Sequence, residues 1–315
     1  MSSTISNDSE KEAEQTSDYL CVGLSTLDYV WSVPAIPAEP TKVFATSHQQ
    51  VGGGMAANAA VTIARLGGLV EFWGRAGDDS AGHAMRQMLI DESVNADYFR
   101  LYEGGRSPVA AIMVDENGER MISTFRGAGY PSESDWLPLQ RMNAAKVVLA
   151  DMRWLAGAAL VFEKAKALQI PTVLDADLAE PADFAHLLPL TDHAIFSSPG
   201  LSQFAPDLST DDALLKAQTA GCGLAAVTLG GEGCRWLDAD GFGECASFAV
   251  DVVDTTGAGD TFHGAYAFAI GSDYGVPAAM QFAAAAAAMK CRQAGGRAGI
   301  PTLPGLQSFV QQYGV

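Results

Sequence analysis

Short apolar runs recur along this chain at residues 19–23, 70–74, 146–150, 172–174, 193–196 and 225–229, and each precedes or follows a longer helix-like stretch such as 56–66 or 157–168. The runs are apolar throughout rather than alternating, which suits strands buried on both faces. Strands of that kind alternating with helices fold as a mostly parallel sheet flanked by helices, so the fold class is α/β. A chain of 315 residues that is 48% hydrophobic can bury the large core this requires. Two segments break the rhythm. Residues 28–51 and 107–125 carry alternating, β-branched and aromatic residues, with a turn signal at Asp115-Glu-Asn-Gly118, and are candidates for a small second sheet. The polar, charged residues 1–17 read as a disordered tail, leaving one α/β domain over 18–315.

Charge narrows the partners. Acidic residues outnumber basic ones by 37 to 19, a formal net charge of −18, which repels nucleic acid and anionic membrane surfaces. An anionic substrate must therefore meet local Lys or Arg. Cys21, Cys222, Cys234, Cys245 and Cys291 form no CxxC pair, as expected of reduced thiols in a cytoplasmic protein. The start of the chain lacks the basic and apolar regions of a signal peptide. The Ala-rich run at 278–289 is too short for a membrane span and reads as a buried helix.

Residues 254–266, DTTGAGDTFHGAY, carry the chemistry. Thr255 and Thr256 approach a helix, Gly257, Ala258 and Gly259 allow a tight turn close to a ligand, and an apolar helical run follows at 261–270. Unpaired N–H groups at such a helix start, added to the positive end of its dipole, favour a phosphate. Asp260 beside them would repel that phosphate but is well placed to take a proton from an attacking hydroxyl.

The stretch resembles the carboxy-terminal signature of the ribokinase or PfkB family of sugar kinases. The resemblance implies a ribokinase-like fold with an inserted β lid, Asp260 as catalytic base, and the N–H groups of Gly257, Ala258 and Gly259 as anion hole. It further implies ATP and Mg²⁺, with K⁺ near Asp254 and Thr256, and a homodimer through the lid. GGGMAANAA at 52–60 is similar to the family's sugar motif, giving Gly53, Gly54 and Asn58, while Asp28 in GLSTLD takes sugar hydroxyls. VTLGGEG resembles the nucleotide loop through Thr228, Gly230 and Gly233. Where the family has N-x-x-E near the metal and phosphates, this chain has Ser197-Ser-Pro-Gly200. Segments including VVLADMRW, TVLDAD and GGRAGIP resemble bacterial sulfofructose kinases. That likeness implies sulfofructose as the sugar, with Lys42, Thr124 (in place of Asn) and Arg153 holding the sulfonate. A neutral ketose or another acidic sugar is the alternative acceptor.

One rival belongs to another class. GGGMAA also fits GxGxxA, the weakened fingerprint of an NAD-dependent dehydrogenase, with Glu71 near the place of a ribose-binding acid. That turn follows a second-sheet segment rather than the first strand, and hydride transfer leaves the GAGD turn without a role.

Overall fold

The computed structural model describes residues 17–313; the tail expected over 1–17 therefore lies outside them except for Ser17. In chain order the first half runs β1 (Tyr19–Gly23), β2 (Thr26–Ser32), β3 (Ser47–Gly53), α1 (Met55–Arg65), β4 (Val70–Gly77), α2 (Ser80–Asp91), β5 (Phe99–Tyr102), β6 (Val109–Val114), β7 (Arg120–Phe125) and β8 (Val147–Asp151). The second half runs α3 (Leu155–Leu168), β9 (Thr172–Ala176), α4 (Pro181–Leu187), β10 (His193–Ser197), α5 (Ser198–Phe204), α6 (Thr210–Thr219), β11 (Leu224–Thr228), β12 (Cys234–Asp238), β13 (Gly241–Cys245), α7 (Ala258–Gly271), α8 (Val276–Lys290) and α9 (Leu303–Gln312).

The central sheet has the order β13-β12-β11-β10-β9-β8-β1-β4-β5. It is parallel from β5 to β11, and β12 and β13 close one edge antiparallel. Side-chain alternation divides its core. Cys21, Leu149, Val173, Ile195 and Ala226 pack on the face covered by α1, α7 and α8. Val22, Val148, Leu174, Phe196 and Val227 pack on the face covered by α3, α4 and α6. Both faces are thus buried, which is why the strand sequences are continuously apolar. Among the described residues no helix is long and apolar enough to cross a membrane.

Strands β3-β2-β6-β7 form a separate four-stranded sheet. The Asp115–Gly118 signal makes its hairpin turn, with the Gly118 N–H donating to the Asp115 carbonyl at 3.0 Å and Gly118 at φ 81°. The first segment contributes β2 and β3, paired antiparallel from Thr26 opposite Gly53 to Ser32 opposite Ser47, and the stretch 33–46 that joins them is not strand.

One buried carboxylate fixes where the two sheets meet. Asp151, at the end of β8 and with no exposed surface, accepts the Leu24 N–H at 2.8 Å, the Ala56 N–H at 3.1 Å and the Arg153 N–H at 2.8 Å. The first joins β1 to β2, the second starts α1, and the third begins the loop after β8. Gly23 must lack a side chain, because a Cβ there would sit inside the Asp151 carboxylate. Burial pushes the carboxyl's pKa up, and the three N–H donors pull it back. Asp151→Asn puts an NH₂ group against at least one of those donors. Unfolding free energy should fall by about 2–4 kcal/mol, read as a lower urea midpoint, and an unchanged midpoint would show that the clamp contributes nothing.

Candidate active site

Helices α1 and α7 cross with small residues between them, and their closeness builds the centre of the site. A Cβ on Gly264 would lie 2.5 Å from the Ala59 carbonyl oxygen, so only glycine permits this approach. On α1, Asn58 then reaches α7, and its Nδ2 donates to Asp260 Oδ2 at 2.7 Å.

The turn before α7 has the geometry of an anion site. Gly257 is left-handed, at φ 75° and ψ 8°, and a Cβ on it would lie 2.8 Å from the Gly296 carbonyl oxygen. Among the described residues the N–H groups of Gly257, Gly259 and Asp260 donate to nothing. The Ala258 N–H, by contrast, turns back to the Thr255 carbonyl at 3.1 Å. Of the three amides expected from the motif, Ala258's is already spent, and Asp260's joins those of Gly257 and Gly259.

Asp260 is surrounded by charge. Burial and then the Asp175 carboxylate push its pKa up to about 7, while the Asn58 hydrogen bond and His263 act against the rise. His263 has Nδ1 2.7 Å from the Gly259 carbonyl oxygen and Nε2 3.1 Å from that of Ile195, with the Asp175 carboxylate at 3.4 Å. Beyond Asn58 stands a residue that sequence reasoning missed. Arg297 is 8% exposed, and its Nε donates to Asn58 Oδ1 at 2.8 Å. A guanidinium only donates, so it turns the amide carbonyl toward itself and the NH₂ toward Asp260. Its one sequence signal is the GGRAGIP segment.

Asp28 joins this group from β2. It accepts the Thr26 hydroxyl at 2.9 Å, and burial raises its pKa against the pull of Arg297. Gly53 and Gly52 leave room for Asp28 and Arg297 respectively, and a Cβ on either would overlap those side chains. Gly54, at φ 95°, caps α1 where a Cβ would strike the Leu24 carbonyl. The structure thus brings Asp28, Gly53, Gly54, Asn58 and Asp260 together.

A cavity of about 460 Å³ opens on the other side of the α7 turn. Thr228, Gly230 and Gly233 line it together with Ala258 and Gly259, and Val250, Ala284 and Ala288 supply apolar walls. Gly230 and Gly233 have φ 57° and 95°, so both glycines are required by backbone conformation. Ser197-Ser-Pro-Gly200 also has a physical account. Ser197 caps α5 by accepting the Gly200 N–H at 3.0 Å, and a Cβ on Gly200 would lie 2.5 Å from the Ala176 carbonyl oxygen. A glutamate has no room there.

The three residues expected around a sulfonate lie on three different elements. Lys42 lies on the exposed stretch between β2 and β3, and Thr124 is exposed on β7 opposite Ala110. Arg153 instead lines a cavity of about 240 Å³ with Arg75, Arg126, Tyr130 and Trp154. Its own fork is engaged by Asp177 and the Leu178 carbonyl, both at 2.6 Å. Arg75 lies over the Trp154 ring at 4.6 Å. Asp254 and Thr256, the residues expected beside K⁺, are bonded to Arg120 from β7. Glu71, the acid of the dehydrogenase reading, is buried in an ion pair with Arg141 and accepts the Trp73 N–H at 2.8 Å.

The family model of pfkB family carbohydrate kinases matches residues 16–303. The ribokinase of Bacillus subtilis is 32% identical over 294 residues, 90% of this chain and 96% of that protein. The fructokinase-2 of Oryza sativa is 27% identical over 288 residues, 82% and 85% of the two chains. The structure of Arabidopsis thaliana ribokinase complexed with ribose and ATP superposes with a TM-score of 0.83 at 25% identity, covering 94% of this chain and 99% of that one. The chain belongs to the pfkB carbohydrate kinase family and has the ribokinase-like α/β fold. It is an ATP-dependent carbohydrate kinase, and the dehydrogenase reading is set aside.

The Asn58 contact has a measurable consequence. Its N–H favours the charged form of Asp260, so Asn58→Leu should move the Asp260 pKa above 7. Carboxyl ¹³C NMR titration reads the shift directly, and a value at or below that of the wild type would show that the hydrogen bond does not act on the charge.

Proposed function

We propose that the protein transfers the terminal phosphoryl group of ATP to a primary hydroxyl of a ketose bearing an anionic substituent, with sulfofructose the first candidate. One observation carries the choice of substituent. In a protein of net charge −18, three arginines, Arg75, Arg126 and Arg153, line a single cavity that also borders Gly23 and Leu24. Leu24 belongs to the loop clamped by Asp151 and leading to Asp28, so the cavity adjoins the sugar site. Guanidinium groups beside a half-enclosed space favour a tetrahedral or planar anion.

In the reaction, Asp28, the Gly53-Gly54 backbone and Asn58 hold sugar hydroxyls. Asp260 keeps Oδ2 on Asn58 and takes the hydroxyl proton on Oδ1. The freed oxygen bonds to the terminal phosphorus as the bond to the bridging oxygen breaks, and that electron pair leaves on ADP. The N–H groups of Gly257 and Gly259 meet the charge that develops on the transferred group. Thr228, Gly230 and Gly233 border the remainder of the nucleotide. Mg²⁺, when bound, neutralises the phosphate oxygens. It would draw most of its ligands from phosphates and water.

Asp260→Asn should keep the fold and ATP binding while lowering turnover by about two to four orders of magnitude. Across a panel of neutral, carboxylated, phosphorylated and sulfonated sugars, Arg153→Ala should weaken use of the anionic acceptor by about ten- to a hundredfold and spare a neutral ketose. Equal losses on both, or a wild type that prefers fructose or ribose, would replace the anionic acceptor with a neutral one.

The second sheet is proposed as a lid and as the contact of a homodimer in the cytoplasm. Met121 and Ile122 on β7 are 46% and 54% exposed, on opposite faces of the strand, and covering either apolar side chain with a partner is favourable. Sedimentation should give a dimer that Ile122→Glu dissociates, and hydrogen exchange over 26–53 and 109–125 should slow when sugar binds. A monomeric wild type rules out the dimer, and unchanged exchange rules out the lid.

A further inference from the structure

The loop leading into α7 is held by two protein cations that come from outside it. Asp254 has every oxygen engaged. Its Oδ1 accepts the Thr256 N–H at 2.8 Å and Arg120 Nη1 at 3.0 Å, and its Oδ2 accepts the Gly295 N–H at 2.8 Å. Its main-chain carbonyl accepts the Lys290 ammonium at 2.8 Å. Arg120 also donates to Thr255 Oγ1 at 2.8 Å and to Thr256 Oγ1.

Lys290, the last residue of α8, has no exposed surface. A lysine buried to that depth is rare, and removing its charge from water is costly unless it meets fixed oxygens and an opposite charge. Burial lowers its pKa and the Asp254 carboxylate opposes the change. A free monovalent ion needs several oxygens around it, and here the Asp254 carboxylate and the Thr256 hydroxyl are already bonded to Arg120. The residues present do not fit K⁺ at Asp254 and Thr256.

We propose that Lys290, seconded by Arg120, is the resident cation of this loop, so that the kinase works without an added monovalent ion. Lys290 is then a positioning residue. Its ammonium fixes the Asp254 carbonyl, the Asp254 side chain fixes the Thr256 N–H, and the next residue, Gly257, opens the turn whose amides point at phosphate. The inference rests on those amides forming the phosphate site.

The test compares tetramethylammonium chloride with potassium chloride at equal ionic strength, using a non-hydrolysable ATP analogue with Mg²⁺. The thermal midpoint of the wild type, and its rise on adding the nucleotide, should be the same in both salts. In tetramethylammonium, Lys290→Met should bind the nucleotide about tenfold or more weakly, the loss expected for one charge-assisted contact. Potassium or ammonium chloride should restore part of that affinity and raise the variant's midpoint without nucleotide, which a general packing defect would not show. Lys290→Arg should retain salt independence. A wild type whose affinity rises more than about threefold in potassium, or whose midpoint is higher there than in tetramethylammonium, overturns the proposal, as does a Met variant that is unaffected or is weakened without rescue. If Lys290→Met does not fold, Arg120→Met replaces it, with the same gain of potassium response expected. Absence of nucleotide protection in every salt would sink the phosphate-site reading, and the midpoints without nucleotide would still decide this one.

Discussion

The functional end of the molecule hangs on the Asp151 carboxylate. It lies at the end of a central strand, in the plane where the β1–β2 connection, the first turn of α1 and the Arg153 loop converge, and it donates nothing while accepting from all three. Three N–H groups that would otherwise be buried without partners are satisfied by one side chain. The cost is a carboxyl held in a fully buried place, and the reward is register: Leu24, Ala56 and Arg153 cannot slide relative to one another without exposing an unsatisfied donor. Asp28 on β2, the helix that carries Asn58, and the arginine cavity are therefore positioned by the same group.

From that anchor, closeness between α1 and α7 does the rest. The run of alanines around Asn58 and the glycine at 264 remove the side chains that would hold the helices apart. Bringing two backbones together in this way leaves the few polar side chains at the contact with little choice of partner. Asn58 donates to Asp260, and Arg297 donates to Asn58. A linear order of donor to acceptor results, ending on one oxygen of the carboxylate. Among the described residues the other oxygen accepts no hydrogen bond, as the proposed role of proton acceptor requires.

Much of this was legible in the sequence where the requirement is local. Gly257, Gly230, Gly233 and Gly54 occupy positive φ, and a motif reports such positions because backbone conformation is set by a few consecutive residues. Continuous apolar runs reported the buried strands for the same reason. The short edge strands β12 and β13 escaped because they have no comparable apolar run. Long basic side chains escaped more completely. Arg120 beside a hairpin turn reads as a surface charge, Arg297 as part of a loop, and Lys290 as the polar end of an alanine helix, since their partners lie 134, 239 and 36 positions away in the chain. Lys42 and Thr124 took their expected role from the family likeness, and in the structure both are exposed.

The distribution of charge explains why so many basic residues point inward in so acidic a chain. Asp151 and Asp175, at the ends of central strands, crowd Asp260 on α7; Asp151 raises the pKa of Asp175, and both raise that of Asp260. Left alone, such a group would neutralise itself by taking up protons and lose the charge that binding and proton transfer need. Arg153 on Asp177, Arg297 on Asn58, and Arg120 and Lys290 around Asp254 interleave fixed positive charge at the borders of the cluster. Compensation is incomplete at Asp260, whose pKa remains near 7. A carboxyl at its ordinary value would be too weak a base for a hydroxyl, and one raised much further would be protonated at neutral pH. On the proposed reading, incomplete compensation makes Asp260 a stronger base than an ordinary carboxylate, increasingly ionised as the pH rises above about 7, while the flanking cations hold the loops around it in place.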